Sequence, residues 1–188
     1  MQVYEALTLR RSIRKFLPKE IPLNVLADMV ELSRLYPSGG NLQPVRFAIV
    51  AEKALCNAVF ADLKFAMYLP DFTIEEQERP TGYIILLRDS RVKNKCDYDI
   101  GAASTYVMLA AVEQGLASCP VANFSKEKLS ALLQLEEHLI PELVIALGYP
   151  AQESRTVPMT DSVRYTEAPD KTLQVPKHSL KDILIFSK

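Results

Sequence analysis

The chain has 188 residues, of which 48% are hydrophobic and 24% are charged, and its formal net charge is −1. This composition is ordinary for a globular protein and provides no basic field for nucleic acid. No apolar run approaches the roughly 20 residues that cross a bilayer, and the first residues lack the pattern of a secretory signal. We therefore expect one domain over residues 1–188, with neither a nucleic-acid nor a membrane partner.

Cysteine and histidine usage adds two further expectations. The three cysteines are odd in number and widely spaced, which does not fit a disulfide framework or a zinc knuckle. With His138 and His178 as the only histidines, we expect no histidine-based metal site. Reduced thiols in a cytoplasmic protein are the expected state.

The first half of the chain alternates helices and strands. The apolar pattern predicts a helix at 4–7, a helix opened by Pro22, a strand at 47–50 and a helix at 53–66. The Pro-Ser-Gly-Gly run at 37–40 stops the second helix. Residues 67–81 have no clear period.

The second half consists mainly of apolar strands. The pattern predicts strands at 83–87, 118–121 and 143–147, a helix with Ser125 as N-cap, and a last helix opened by a capping box at 179–182. The tail over 151–178 is expected to be irregular and polar. Helices between fully apolar strands are typical of a two-layer or three-layer α/β arrangement.

The longest predicted helix covers residues 99–116 and is apolar nearly all round. A helix without a polar face is buried, either deep in a core or in a subunit contact. A chain of this size can hardly cover such a helix by itself. A homodimer interface is therefore the preferred interpretation.

Several common catalytic motifs are missing from the sequence. No G-x-G-x-x-G run follows a strand, and there is no P-loop, H-E-x-x-H or G-x-S-x-G motif. The sequence therefore lacks the motifs that would support a Rossmann dehydrogenase, an NTPase or a hydrolase.

A basic cluster follows the first helix, in the run Arg10-Arg11-Ser12-Ile13-Arg14-Lys15-Phe16. Arginine forks match phosphate oxygens bidentately, and a serine hydroxyl adds a neutral donor. In an extended segment, positions 10, 12 and 14 share one side. Taken alone, the cluster is explained equally well by a solvated basic turn.

The far end of the chain is also basic, because residues 171–188 carry four lysines against Asp182 alone. Two explanations remain open from charge by itself. The two ends are solvated independently, or they converge on one anion.

A second segment, Pro37-Ser38-Gly39-Gly40-Asn41-Leu42-Gln43-Pro44, is a glycine-bearing loop rich in side-chain amides. With the basic cluster and the runs at 99–103, 115–119, 146–150 and 175–177, it makes an ordered series over nearly the whole chain. In this series the chain resembles the FMN-dependent nitroreductase family. The resemblance implies an α+β three-layer fold, with a central, mostly antiparallel sheet flanked by helices, in an intertwined homodimer.

The resemblance also implies a set of FMN-binding residues: Arg10, Arg11, Ser12, Arg14, Ser38, Gly39, Asn41, Gln43, Ala122, Asn123, Lys177 and His178. The N-terminal members would hold the phosphate and ribityl chain, with Arg14 nearest the pyrimidine edge, where it would tune the flavin. The loop members would reach the flavin of the other subunit. Backbone at 122–123 would face the ring near N5, and Lys177 would bind the phosphate.

The chain departs from the family pattern in places. Many members have a tryptophan where Val45 stands, and Gly39 and Gly40 replace bulkier polar residues. His178 stands where arginine is frequent, which makes the phosphate pairing partly dependent on pH, because histidine titrates near neutrality. We expect FMN binding to survive these changes.

The activity implied by the resemblance is hydride transfer from NADH or NADPH through flavin N5 to a small conjugated acceptor such as a nitroaromatic or a quinone. Turnover would be ping-pong, with no essential general acid from the protein. Alternatives are a reductive dehalogenase, an enzyme that consumes its own flavin, and a non-catalytic FMN carrier or sensor. An open segment 67–81 predicts turnover, whereas one packed onto the ring predicts storage.

Four aromatic residues are candidates to line the substrate face of the flavin: Phe65, Tyr68, Phe72 and Phe124. The competing interpretation is core or lid packing, which is the usual role of aromatic residues near strand ends. Cys119 is expected to be a buried structural thiol, because no histidine lies near it in sequence to activate it.

Overall fold

The computed structural model describes residues 1–187. Six α-helices are present in this range, besides two 3₁₀ turns at Gly39–Asn41 and Glu76–Glu78: α1 (Val3–Leu9), α2 (Leu23–Ser33), α3 (Lys53–Asp62), α4 (Asp97–Glu113), α5 (Lys126–Leu132) and α6 (Leu180–Ile183). Seven strands accompany them: β1 (Val45–Val50), β2 (Gly82–Asp89), β3 (Ala117–Val121), β4 (Leu139–Gly148), β5 (Ser154–Pro158), β6 (Thr166–Glu167) and β7 (Leu173–Lys177).

The main sheet has the strand order β1-β2-β4-β3, and every neighbouring pair is antiparallel. One face carries α2 and α4, and the other carries α3 and α5, so that β2 and β4 are covered on both sides. This double cover explains why their sequences are continuously apolar, since neither face of these strands meets water. The expected α+β fold, an antiparallel sheet flanked by helices, is confirmed.

Most of the predicted elements are confirmed, and their ends follow local chemistry. Pro22 is the N-cap of α2, and the Ser125 hydroxyl caps α5 by accepting from the backbone N–H of Lys128. Helix α3 is shorter than the predicted 53–66, because the chain turns extended at Leu63. The N–H of Lys64 then bonds the carbonyl of Asn123 instead of continuing the helix.

The tail over 151–178 was predicted to be irregular, and that prediction is wrong. It forms a second sheet with the order β5-β7-β6, in which β5 and β7 run parallel. The strands are short, and Pro158 and Pro176 interrupt their alternation of apolar and polar residues, so the sequence carries little period-two signal.

Helix α4 packs one side against the main sheet and leaves the other side open within the single chain. Ala103 and Val107 are fully buried, whereas Tyr98 is 94% exposed and Tyr106 39% exposed. The helix therefore has a side, with Tyr98 and Tyr106, that the single chain leaves uncovered, and the burial of this side in a homodimer stays a prediction. None of the helices in residues 1–187 combines the length and apolar character needed to cross a bilayer.

Candidate functional site

Residues 10–16, called the basic segment below, leave α1 as extended backbone and lie along the edge strand β3. Ser12 forms a parallel bridge with Ser118, and the N–H of Ile13 donates to the carbonyl of Ser118 at 3.0 Å. On its other side the segment bonds the chain that follows β4, where the N–H of Ala151 donates to the carbonyl of Lys15 at 3.0 Å. The segment therefore has a fixed position between two elements.

The side chain of Phe16 anchors this arrangement. It is completely buried, and its ring lies against the α-carbon of Gly148 at the end of β4. A larger residue at 148 would collide with the ring, so the glycine is needed for the close approach. The sequence motif around Gly148 is thus a packing requirement of the basic segment.

The parallel direction of the basic segment and β3 orders the cations along the strand. Arg10 lies toward the start of β3, and Arg14 lies toward its end, from which Ala122 and Asn123 follow. Four residues of extended chain cover about 13 Å. An elongated ligand could therefore lie along this edge with one end at Arg10 and the other at Arg14.

Three guanidinium groups of the basic segment are only partly exposed, yet none forms an ion pair with a carboxylate of residues 1–187. Arg11 and Arg14 donate only to nearby backbone carbonyls, at 2.7 Å to Arg10 and 3.3 Å to Ser12. Burial, followed by the charge of Arg11, lowers the pKa of Arg10. Unpaired cations in such surroundings favour an anionic partner, and this donor set fits a phosphate ester such as that of FMN.

The segment presents its cations on two sides. Arg10 and Arg14 both act on the thiol of Cys119: burial raises the pKa of Cys119, and the two positive charges oppose that rise. Arg11 instead lines a cavity of about 500 Å³ together with Ser118, Gln152 and residues at the C-terminal end of α4. Arg10 and Arg14 therefore both lie within electrostatic reach of Cys119, whereas the side chain of Arg11 lines the cavity, so its contact with FMN stays a prediction.

The cavity beside Arg11 contains buried polar atoms without a hydrogen-bond partner among the described residues. They are Arg11 Nε, Ser118 Oγ, Gln152 Nε2 and Ser154 Oγ. The residues at 118, 152 and 154 were not identified from the sequence. Residue 118 lies in the run 115–119 but was not singled out there, and residues 152 and 154 belong to the tail that was expected to be irregular.

The C-terminal cations lie elsewhere in the single chain. Lys177 ends β7 opposite Pro158, and both Lys177 and His178 are exposed. Within residues 1–187, no hydrogen bond or ion pair joins them to the basic segment. The convergence of both basic ends on one phosphate therefore stays a prediction.

The loop 38–43, called the amide loop, is held by α4. Ser38 Oγ donates to Asp99 Oδ1 at 2.6 Å, and the same hydroxyl accepts from the N–H of Gln43 at 3.0 Å. Gly40, Asn41 and Gln43 all have left-handed backbone, with φ of 60°, 55° and 50°. The amides of Asn41 and Gln43 bond each other at 3.1 Å and are exposed at the tip.

The amide loop and the basic segment lie at opposite ends of α4. Asp99, in the first turn of the helix, holds the loop, whereas Val112, near its end, lines the cavity of Arg11. At the usual rise of a helix these two residues stand about 20 Å apart. The two predicted halves of the flavin site therefore do not meet within one chain.

The aromatic candidates separate into two groups. Phe65 stacks on Phe60 with ring centroids 5.8 Å apart, and both Phe65 and Phe124 pack against the core beside α3 and α5. Tyr68 and Phe72 lie instead near the basic segment, Phe72 with the ammonium of Lys15 at 5.5 Å from its ring.

Tyr68 reaches Arg14 through a residue that the sequence did not identify. The guanidinium of Arg14 lies 4.6 Å from the ring centroid of Tyr165, and that ring lies 5.1 Å from the ring of Tyr68. Tyr165 belongs to the tail that was expected to be irregular, so no period marked it. Segment 67–81 is thus tied to the tail beside Arg14.

Comparison with known proteins settles the family. Residues 7–78 and 96–149 match the sequence profile of the nitroreductase family. The chain belongs to that family.

The relatives of this nitroreductase-family chain are named for different activities. It is 26% identical over 173 residues to an NADH dehydrogenase of Thermus thermophilus, with 77% of this chain and 84% of the relative covered. It is 26% identical over 182 residues to an iodotyrosine deiodinase of Thermotoga neapolitana, covering 87% and 97%. These names support an oxidoreductase.

A solved structure has the same fold. The FMN-dependent nitroreductase of Clostridium difficile superposes with a TM-score of 0.66 at 21% identity, covering 80% of this chain and 89% of that chain.

Proposed function

We propose that the chain is a cytoplasmic, FMN-dependent NAD(P)H oxidoreductase that reduces a small conjugated acceptor such as a nitroaromatic or a quinone. The observation that carries the proposal is the row of partly buried, unpaired guanidinium groups along β3. FMN, when bound, would supply the chemistry by taking up hydride at N5 and passing it to the acceptor. The side chains of the protein would bind and orient the flavin and the acceptor.

In this proposal, Arg10 and Ser12 bind the phosphate and ribityl end of FMN, and Arg14 lies at the pyrimidine edge. The order of these residues along β3 supports that orientation, since it gives a phosphate site and a ring site about 13 Å apart. A fixed positive charge at the pyrimidine edge stabilises negative charge there at any relevant pH. Lys177 and His178, which are exposed at the end of β7, would join the phosphate site only if the end of β7 moved toward Arg10.

We further propose a homodimer in which each FMN is shared between subunits. The separation of the amide loop from the basic segment along α4 supports this, because one chain cannot bring both to one ligand. A two-fold axis would place the loop of one protomer at the basic segment of its partner. The uncovered side of α4, with Tyr98 and Tyr106, would lie in that contact.

The acceptor would approach the flavin beside Arg14. Tyr68 and Tyr165 offer aromatic surface there, which suits a planar conjugated molecule. Phe72, whose ring lies beside the ammonium of Lys15, stays a candidate, whereas Phe65 and Phe124 are accounted for by core packing. No side chain in this arrangement needs to act as a general acid.

A reductive dehalogenase is the second candidate, favoured by the relative named iodotyrosine deiodinase, of which 97% is covered. Both activities would use the same flavin site, so they differ only in the acceptor. Steady-state turnover with a nitroaromatic and with 3-iodotyrosine, each with NADH and NADPH, would separate them. A carrier or sensor predicts that neither acceptor reoxidises the reduced flavin.

The central test is the absorption spectrum of the purified protein before and after incubation with FMN, followed by stopped-flow reduction with each nicotinamide. Arg10→Ala should weaken FMN binding by roughly 1.5–3 kcal/mol, since it removes a charge-assisted contact. Arg34→Ala is the matched control, because Arg34 pairs with Glu31 on the surface of α2. A colourless protein that takes up no FMN would refute the proposal.

A further inference from the structure

Asp99 is a buried acid that no motif assigns to the site. It is 2% exposed and accepts hydrogen bonds from Ser38 Oγ at 2.6 Å, from Lys93 Nζ at 2.9 Å and from the N–H of Gly39. Burial by itself would raise the pKa of Asp99, but the hydrogen bonds from Ser38 and Lys93 outweigh it and keep the pKa below its usual value. Asp99 is therefore a fixed carboxylate beneath the amide loop.

The amide loop depends on contacts from outside itself. Three of its six residues have left-handed φ, and for non-glycine residues such as Asn41 and Gln43 this conformation is uncommon and costs energy. Its internal hydrogen bonds join loop atoms only to one another. Contacts from outside the loop include Asp99 and Tyr36, which both bond Ser38, and Arg46, which donates to the carbonyl of Gln43 at 2.7 Å.

Ser38 transmits the hold of Asp99 to the tip of the loop. Its hydroxyl donates to Asp99 and accepts from the N–H of Gln43, so one oxygen fixes both ends of the loop. The side chain of Gln43 in turn donates to the side-chain oxygen of Asn41. A hydrogen-bonded chain thus runs from the buried carboxylate to the two exposed amides.

We infer that Asp99 is a positioning residue: acting through Ser38, it fixes the amide loop in the shape in which Asn41 and Gln43 meet the flavin held by the partner protomer. The inference rests on the proposed function, since it requires an FMN site shared between subunits. Asp99 itself touches neither the flavin nor the acceptor. It lies about 20 Å along α4 from the basic segment of its own chain.

Single variants test the role of Asp99 in FMN binding. Asp99→Ala and Ser38→Ala should each raise the Kd for FMN roughly tenfold or more, because each removes a charge-assisted bond from the loop. The double variant should raise the Kd by less than the product of the two single effects, since both substitutions break the bond between Ser38 and Asp99. Asp97→Asn is the matched control, because Asp97 lies exposed in the same turn of α4 and no hydrogen bond or ion pair joins it to the amide loop within residues 1–187.

Mixed dimers test whether Asp99 acts on the partner's site. A protomer with Arg10→Ala combined with a protomer carrying Asp99→Ala would form one site with both defects and one intact site. FMN binding at wild-type affinity should therefore reappear in the mixed dimer but in neither parent dimer. Action within one chain would leave every site defective, and no intact site would appear.

The outcomes separate the two proposals. If the wild-type protein binds no FMN, the proposed function fails. If it binds FMN but the Asp99 and Ser38 variants bind it as tightly as Asp97→Asn, or the mixed dimer gains no intact site, the positioning role is overturned. Asp99→Asn is a near-isosteric variant to use if Asp99→Ala folds poorly. It should weaken FMN binding, while the visible spectrum of its bound flavin should match that of the Asp97→Asn control.

Discussion

The ring of Phe16 lies so close to Gly148 that a Cβ built on the glycine would be 2.6 Å from ring atom Cδ1. This contact joins the basic segment to the end of β4 and so helps to fix the positions of Arg10 and Arg14. Both residues are buried at the junction of two elements far apart in sequence.

We therefore expect Gly148→Ala to destabilise the protein by about 1–3 kcal/mol, because the added methyl group overpacks a closed site. Urea unfolding measures this change. The variant Phe16→Leu makes room at the ring, so the double variant should be more stable than the sum of the single changes predicts. Simple additivity would show that the close contact is not the cause.

Asp89 should make stability depend on acid pH. Its buried carboxylate bonds the guanidinium of Arg91 at 2.9 and 3.0 Å and lies 3.4 Å from that of Arg46. The hydrogen bonds from Arg91 lower the pKa of Asp89 to about 2. Since this folded pKa lies below the unfolded value of about 3.9, the contribution is complete above pH ~4 and is lost as the pH falls toward 2.

The variant Asp89→Asn isolates this contribution. It should unfold at lower urea concentration than the wild type at neutral pH, and the gap should close as the pH falls from about 4 to 2. Unfolding midpoints across that range provide the measurement. A gap that stays constant would contradict the assignment to Asp89.

The three thiols should be unreactive in the folded protein. Cys56, Cys96 and Cys119 are all buried, and burial raises the pKa of each, that of Cys56 to about 11. Thiolate is the reactive form, so a thiol reagent at mildly alkaline pH should label none of them until the chain is unfolded. Mass spectrometry after labelling with and without guanidinium chloride would count the modified cysteines.

Tyr165 should hold the tail against the basic segment. The guanidinium of Arg14 lies over its ring, and the ring packs on Tyr68. A cation–π contact at such a site contributes about 0.5–2 kcal/mol of stability. Tyr165→Ala should therefore speed amide hydrogen exchange in residues 159–170, whereas Tyr165→Phe should keep the protection. Equal exchange in all three proteins would show that the ring does not hold the tail.

Much of the main sheet could be predicted because its signals are local. Pro22 and Ser125 indicate where α2 and α5 begin, Pro22 through its restricted backbone and Ser125 through its capping hydroxyl. The apolar runs at β2 and β4 indicate strands that are buried on both faces. The tail sheet could not be predicted in this way. Its strands are held by pairing across intervening loops, and the prolines of β5 and β7 break the alternation that would reveal them.

The residues of the candidate site also divide into those that local sequence signals reveal and those that only the tertiary structure reveals. Arg10, Arg14, Asn41 and Gln43 were found because cations and amides are visible in a short run of residues. Asp99, Tyr165 and Ser118 were not assigned to the site, because each acts across a long stretch of sequence. Its place at the start of the run 99–103 could have drawn attention to Asp99, whereas an acid in the first turn of α4 does not distinguish it from Asp97.

The sequence by itself determined which chemical groups are available, namely three guanidinium groups in five residues and an amide-rich loop, together with most helices and strands of the main sheet. These features are local, because composition and short-range periodicity encode them directly. The tertiary structure decided where that chemistry stands. It places the basic segment and the amide loop at opposite ends of α4, about 20 Å apart, and this separation is the reason for the proposed homodimer.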